Sequence, residues 1–459
     1  MIKDNLFCDR ENGKQTVLPR HWPLWKKITT SMFSLFPVVT IMYTTTSLST
    51  PVPTFPSLFA TSKSLASLSF SIPFLGMTSA PLYAPYLSER FGRKPVLLVY
   101  FLLYGTVVLG LTFARTLGQL LLLRFLIGLL GGPCIVMAEG TLRQLWPPER
   151  RMTYYAVLAF MQYVGAAAGW LVGVVILQVF GLPYLSITAL LYASLTLAGL
   201  FFVPETSVRK ILRQEMDEAN ETEEGWWRPA VLWAATIELV RGGVLQPLLM
   251  LGRDPIVIVC SFYLALNFAV VFQFFISGPI LLKDKYGFTF GQTSLAFLAM
   301  IIGSRISLTE HLGGLPGLLP ALMGGLMLSS ALFAVGFTAN PRGNAKLVFT
   351  GIVILTWGTM DILHAMTALS AMAFARYVAA GVMPLFAVSL AENVPTKVLF
   401  AGYGGMTLVM LPVPFVLFYY GEKLSRKSGY SRYDPNNREN GNKEAEEDFD
   451  GVFGNQERE

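Results

Sequence analysis

The sequence predicts an all-α polytopic membrane protein, with twelve transmembrane helices in two six-helix bundles. Three observations carry that prediction. Of 459 residues, 53% are hydrophobic and 14% charged, where a soluble domain carries about 25% charged residues. The charges gather at the two ends, in one central stretch and in short clusters. Between them lie apolar runs of the roughly 20 residues that a bilayer-crossing helix needs. The mean hydropathy of +0.52 agrees. This composition excludes a cytosolic enzyme, a disordered scaffold and a secreted disulfide module. The pI near 9.1 reflects bases scattered between hydrophobic spans, so it points to membrane topology and not to nucleic acid. Cys8, Cys134 and Cys260 are far apart and form no CxxC, which leaves metal and redox chemistry without ligands; Cys134 and Cys260 read as packing residues.

In chain order the spans fall at 30–50, 64–86, 95–114, 117–138, 153–178, 183–203, 256–281, 291–309, 315–338, 346–365, 367–391 and 397–420. The first is rich in hydroxyls (Thr40, Thr44, Thr45, Thr46, Ser47, Ser49), so it should face other helices or a water-filled cavity. The eighth is cut short by Arg305, Glu310 and His311. No cleavable leader precedes them, because the first 27 residues are polar and charged. Of the 35 Lys and Arg residues, 26 fall on the side of the N-terminus, 7 on the other side, and Arg124 and Arg376 inside spans. The positive-inside rule then places both termini in the cytoplasm.

The domains expected from this count are a cytoplasmic segment (1–27), a first bundle (28–203), a linker (204–255), a second bundle (256–420) and a disordered tail (421–459). In the linker, Trp226, Trp227 and the apolar positions of 231–252 suit either a helix lying on the membrane face or a flexible connection. Asn220-Glu221-Thr222 reads as a glycosylation sequon, on the wrong side to be used.

Three strings carry mechanism, and three more mark the flanks of the spans. Pro85-Tyr86-Leu87-Ser88-Glu89-Arg90-Phe91-Gly92-Arg93-Lys94 joins an acid and a base cluster to a turn at Gly92 that tolerates positive φ. Leu121 to Gly132 places Arg124 in mid-span, which costs about 2.5–3.5 kcal/mol unless the side chain faces partners. Gly128, Gly131 and Gly132 follow it and let a neighbouring backbone come close. Gly165, Gly169 and Gly173 repeat at four-residue spacing in the fifth span. Pro19-Arg20-His21-Trp22-Pro23-Leu24-Trp25-Lys26-Lys27, Pro204-Glu205-Thr206 and Tyr286-Gly287-Phe288-Thr289 stand outside the spans.

The first string resembles the major facilitator signature G-x-L-x-D-R-x-G-R-R, with Pro for the first Gly and Glu for Asp. The outer strings resemble those of fungal twelve-span drug:proton antiporters, a likeness that covers about residues 19–430 and includes Asp361, Ser370, Arg376 and Pro384-Leu385-Phe386. The resemblance implies that Glu89, Arg90, Gly92 and Arg93 latch the outward-open state. It implies a proton-transfer role for Arg124, against which stands an arginine bonded to backbone carbonyls. The glycine string falls where antiporters carry G-x-x-x-G-P-x-x-G-G, but Trp170 replaces the proline. Antiport hinge and plain helix packing are both open at Gly165, Gly169 and Gly173.

Buried ionisable groups are few, so Glu139, Asp361 and Arg376 join Arg124 as proton-coupling candidates, with Glu392 and His364 as lesser ones. Tyr43, Gln162, Tyr163, Asn267, Gln273, Phe274 and Trp357 are the expected cavity lining, suited to an amphipathic, neutral or weakly ionised substrate. No G-x-x-x-x-G-K-[ST] occurs to hold ATP, and neither a cofactor nor a metal is expected. The leading expectation is a non-enzymatic, monomeric plasma-membrane exporter of small organic molecules, drugs or secondary metabolites, driven by protons. The alternative is an uptake permease or facilitator; a membrane enzyme and a transport-dead sensor are the remaining classes. The loop at 304–314 is shorter and less charged than the resemblance implies.

Overall fold

The computed structural model describes residues 19–48, 62–208, 210–211, 239–312, 318–338, 345–366, 370–416 and 419. Among these the regular structure is helical. The first half of the chain holds α1 (Leu24–Ser47), α2 (Lys63–Met77), α3 (Ala80–Phe91), α4 (Arg93–Leu111), α5 (Leu117–Leu145), α6 (Pro148–Val179) and α7 (Leu182–Leu200). The second half holds α8 (Gln246–Arg253), α9 (Pro255–Tyr286), α10 (Phe290–Ala296), α11 (Leu298–Leu312), α12 (Leu318–Thr338), α13 (Ala345–Met366), α14 (Ser370–Asn393) and α15 (Thr396–Val409). Among the described residues, seven stretches are long and apolar enough to cross a membrane: α1, α4, α5, most of α6, α7 and α9, and Thr396–Val416. Shorter apolar stretches occur at Met323–Phe337, Phe349–Thr359 and Ala371–Ala387.

Local chemistry sets the boundaries. The second expected span is two helices, α2 and α3, broken at Thr78 and Ser79, whose hydroxyls donate back to Phe74 O and Gly76 O (both 3.1 Å). A capping box, Thr116 with Gln119, starts α5, and another, Thr289 with Gln292, starts α10. Left-handed Gly287 closes α9. The expected loop at 304–314 is largely helix, because Ser304, Ser307 and Leu308 are buried against neighbours and extend α11 to Leu312. Residues 239–253 form a π-type turn (Leu239–Leu245), packed on α3 with Gly243 beneath Leu82 O, and then α8, which packs on α9 and α14. Trp226, Trp227, the sequon at Asn220 and the tail lie outside the described residues.

Packing in the two halves follows one pattern. In the first half α1 packs on α6, α2 on α5, and α4 on α5 and α7. In the second, α9 packs on α14, α11 on α13, and α12 on α13 and α15. The halves meet where α2 and α3 lie on α14, and where α6 lies on α10, α11 and α13. The hydroxyls of α1 are turned inward and satisfied: Thr44, Thr45 and Thr46 each donate to the carbonyl four residues back (2.8–2.9 Å), and Thr40 meets Thr196 of α7 at 2.6 Å. Large apolar side chains such as Leu122, Leu191, Leu195, Phe262, Phe337 and Val409 instead face outward. So broad an apolar exterior fits hydrocarbon and not water.

Candidate functional site

The turn between α3 and α4 is built on Gly92, whose φ of 92° lies in the region L side chains avoid. A carboxylate organises it. Glu205 Oε1 accepts from the backbone N–H of Arg93 (2.9 Å), Thr206 (3.0 Å) and Ser207 (2.9 Å). Its other oxygen lies 3.7 Å from Lys210, which donates to Phe91 O (3.0 Å). Buried Arg93 donates to Gly140 O of α5 (2.6 Å), and Lys94 donates to Phe201 O (3.0 Å). Glu89 and Glu205 are the acids whose charges Arg93 feels, with Arg143 as the opposing cation. Arg90 donates to Tyr86 Oη (3.2 Å) and lies over the Phe91 ring. The latch candidates thus meet the ends of α5 and α7, through a carboxylate that the first string alone does not contain. Glu205→Gln should loosen this turn, because the neutral amide keeps one acceptor but loses the charge facing three N–H groups and Lys210. The expected readout is faster trypsin cleavage at Arg90–Lys94, by about threefold or more; unchanged cleavage would show that the carboxylate is idle.

Arg124 is 1% exposed in mid-α5. Its guanidinium donates to Leu48 O (2.7 Å), Thr45 O (2.8 Å) and Ser69 Oγ (2.6 Å), so it clasps the end of α1 to α2. The glycines after it make that approach possible: a Cβ on Gly128 would overlap the Pro73 carbonyl of α2.

Two adjoining cavities lie where the halves meet. The smaller, with about 10 Å³ of room for water centres, is lined by Tyr163, Leu264, Asn267, Phe268, Val271, Phe272 and Thr359. The larger, of about 30 Å³, is lined by Met42, Gln162, Ala166, Phe275 and Tyr377 together with Tyr163, Phe268, Val271 and Phe272. A single water needs about 10–15 Å³ on this measure, so these are water-sized spaces, and a small organic molecule enters only if the halves part. Tyr163 of α6 bridges the halves by a 3.0 Å hydrogen bond to Thr359 of α13.

Each end of this region is sealed differently. Along α6 and α9, on the side of the cavities remote from Gly92, rings gather at the seam between the halves. Phe74 meets Phe272 (4.3 Å between centroids), Phe275 meets Phe297 (5.4 Å), and Trp170 stacks on Phe297 (4.8 Å). Toward Gly92, buried Arg376 of α14 lies over Phe268 (4.8 Å) and Tyr377 (5.0 Å) and donates to Tyr377 Oη (3.5 Å). Glu139 of α5 is the acid that faces it electrostatically, with Arg143 alongside.

Of the expected lining, Gln162, Tyr163 and Asn267 reach the cavities. Tyr43 does not; it donates to Thr188 (3.2 Å) and stacks near Tyr192 of α7, inside the first half. Gln273 and Phe274 also miss. The cavity stripe of α9 is 264–268–271–275, and Phe274 turns instead toward Gly278 and Phe297. Gln273 is 1% exposed, and its amide has no hydrogen-bond partner among the described residues. Trp357 is half-buried beside Thr356 and lines neither cavity. Asp361 lies in α13, but its side chain, like those of His364 and Glu392, is outside the described set. Gly165 and Gly169 face α1 within the first half, and Gly173 is buried beside them. Thr359, Phe268, Phe272, Phe275 and Tyr377 line the cavities without being expected from the sequence; the i, i+4, i+7 ring stripe of α9 is the signal for the three phenylalanines, and Thr359 and Tyr377 carry none.

The chain matches the Major Facilitator Superfamily over residues 30–375. It is 25% identical over 451 residues to the major facilitator superfamily multidrug transporter FLU1 of Candida albicans, covering 90% of this chain and 74% of that one. It is 28% identical over 465 residues to the efflux pump radE of Floropilus chiversii, covering 92% and 85%. Among solved structures it is similar to the xylose transporter XylE from E. coli (TM-score 0.63, 15% identity, 86% and 99% covered). It is also similar to the human organic anion transporter MFSD10 (TM-score 0.61, 17% identity, 86% and 100% covered). A helix pattern repeated in two halves, an inward-facing arginine in the fourth apolar run, a seam cavity and a family match over most of the length lead to one conclusion: this chain belongs to the Major Facilitator Superfamily and is a multi-pass membrane transporter.

Proposed function

We propose that the protein exports small organic molecules from the cytoplasm by proton antiport, rocking two six-helix bundles (28–203 and 256–420) around the cavity at their seam. In this reading α2 with α3, and α10 with α11, are single crossings, which brings the count to twelve. Both termini are cytoplasmic and the membrane is the plasma membrane. The repeated contact pattern of the two halves supports the count. The relatives named as a multidrug transporter and an efflux pump support the direction.

The observation that carries the proposal is the cavity itself, lined from both halves and bridged by Tyr163 and Thr359. The aromatic contacts at Phe74, Phe272, Phe297 and Trp170 would be the outer gate. The opposite end would be gated by the turn at Glu89, Arg90, Gly92 and Arg93 and by Glu139 facing Arg376. Protonation of Glu139 removes the charge that faces Arg376 across the seam, so it alters the relative stability of conformations that differ there. Arg124 and Asp361 complete the candidate proton path, and the protein works as a monomer.

The test is flux in inverted vesicles with an imposed proton gradient, using a lipophilic dye as the probe. Dye accumulation that collapses with a protonophore is expected, and Glu139→Gln should retain flux but lose the response to the gradient. Gradient-independent flux in the wild type would overturn antiport. Accumulation in right-side-out vesicles alone would make the protein an uptake permease.

A further inference from the structure

The smaller cavity has a one-sided hydrogen-bond character. Asn267 is 3% exposed, and its Nδ2 donates to Tyr263 O at 2.7 Å. A carbonyl only accepts, so the amide nitrogen must face Tyr263. That leaves Oδ1, which has no hydrogen-bond partner among the described residues, as a buried acceptor in a residue lining the cavity. The second polar group behaves alike. Thr359 donates its one hydroxyl proton to Thr356 O at 3.0 Å, so Tyr163 is the donor in the 3.0 Å Tyr163–Thr359 bond. Tyr163 Oη then has only lone pairs left to offer. The remaining lining is apolar: Leu264, Phe268, Val271 and Phe272. A buried acceptor without a donor costs about 1–3 kcal/mol, so the space favours a group that brings one. An ammonium would bring a donor as well, but Arg376 lies within electrostatic reach of Tyr163 and disfavours a second cation.

We propose that Asn267 Oδ1 and Tyr163 Oη form a subsite for a neutral donor, a hydroxyl or amide N–H carried on an aromatic ring, with Phe268 and Phe272 stacking on the ring. This rests on the reading of the seam cavity as the substrate site, and it names the substrate class. An incoming hydroxyl that engages Tyr163 competes with the Tyr163–Thr359 bond between the halves, so binding also weakens a contact that holds the cavity shut.

The test is equilibrium binding to the full-length protein in lipid nanodiscs, read by quenching of intrinsic fluorescence, with 2-naphthol and 2-methoxynaphthalene as probes. The wild type should favour the naphthol by about five- to tenfold, one neutral hydrogen bond's worth. Asn267→Leu, which keeps the volume and removes the acceptor, should bring the ratio to about one. Should that variant elute as aggregate, Tyr163→Phe makes the same comparison. Equal affinities in the wild type, no binding of either ring, or a preference that survives both substitutions would overturn the subsite; in the last case Asn267 holds only a structural water. Because the measurement needs neither gradient nor direction, it is separable from export. Discrimination without vesicle flux sinks the export reading alone, and dye flux without discrimination sinks the subsite alone.

Discussion

Arg124→Ala should lose transport and lower the thermal midpoint of the purified protein together. The side chain donates to Thr45 O in the last turn of α1 and to Leu48 O at its cap, the end of a helix where carbonyls run out of intrahelical donors. A cation at that end also meets the negative pole of the helix. Removing it takes three hydrogen bonds from a charged donor out of a site that is 1% exposed, at a cost of about 3–5 kcal/mol. Arg124→Lys keeps the charge but lacks the planar fork, so it should fall between the two. The discriminating quantity is flux per folded molecule, with the midpoint read by intrinsic fluorescence in detergent. Loss of flux in excess of lost folded protein places Arg124 in the transport cycle. A lowered midpoint with normal flux per molecule makes it a clasp only, and an unchanged midpoint would show that the three hydrogen bonds carry nothing.

That clasp illustrates what can be read from a chain without its structure. A mid-span arginine announces that it needs partners, because hydrocarbon supplies none. It does not announce which ones, since backbone carbonyls leave no mark on the sequence. The same holds at the Gly92 turn. The glycine and the bases are legible there, whereas Glu205, more than a hundred residues away, becomes a partner only when the end of α7 comes beside α4. The helical, membrane-spanning character of the chain was legible because hydropathy is a local property. The cavity face was not. In a helix that is apolar all round, no polar stripe marks the inward direction: the amide of Gln273 stands out in the sequence, yet the lining runs through Phe268, Val271 and Phe275. Span ends were off by a few residues where helices continue past hydrocarbon thickness, as α1 does at Leu24 and α5 at Leu145.

The fifth apolar run joins two roles on opposite faces, and substitution should separate them. Trp170 faces the second half, stacked on Phe297. Its neighbour Gly169 faces α1, where an added Cβ would overlap Thr46 Oγ1 and stand 2.5 Å from Tyr43 O and 3.0 Å from Ser47 N. Two of those atoms are backbone, so Gly169→Ala must displace the last turn of α1 and cannot be absorbed by a side-chain rotation. Overpacking of this kind costs about 1–3 kcal/mol or more. The same turn carries the carbonyls that Arg124 holds, so the displacement should weaken that clasp as well. Three results follow from one geometry. Gly169→Ala should lower the midpoint by several degrees, whereas Gly105→Ala, where nothing lies within 4 Å, should leave it unchanged or raised. Combined with Arg124→Ala, it should cost less than the two singly, since both undo the same contact. Trp170→Ala should spare the midpoint relative to Gly169→Ala and act instead on closure between the halves, read as increased passive leak of the dye. A Gly169→Ala protein with a normal midpoint but altered flux would reverse the assignment: α1 and α6 would then slide on each other during transport, and the glycine face would be the moving part.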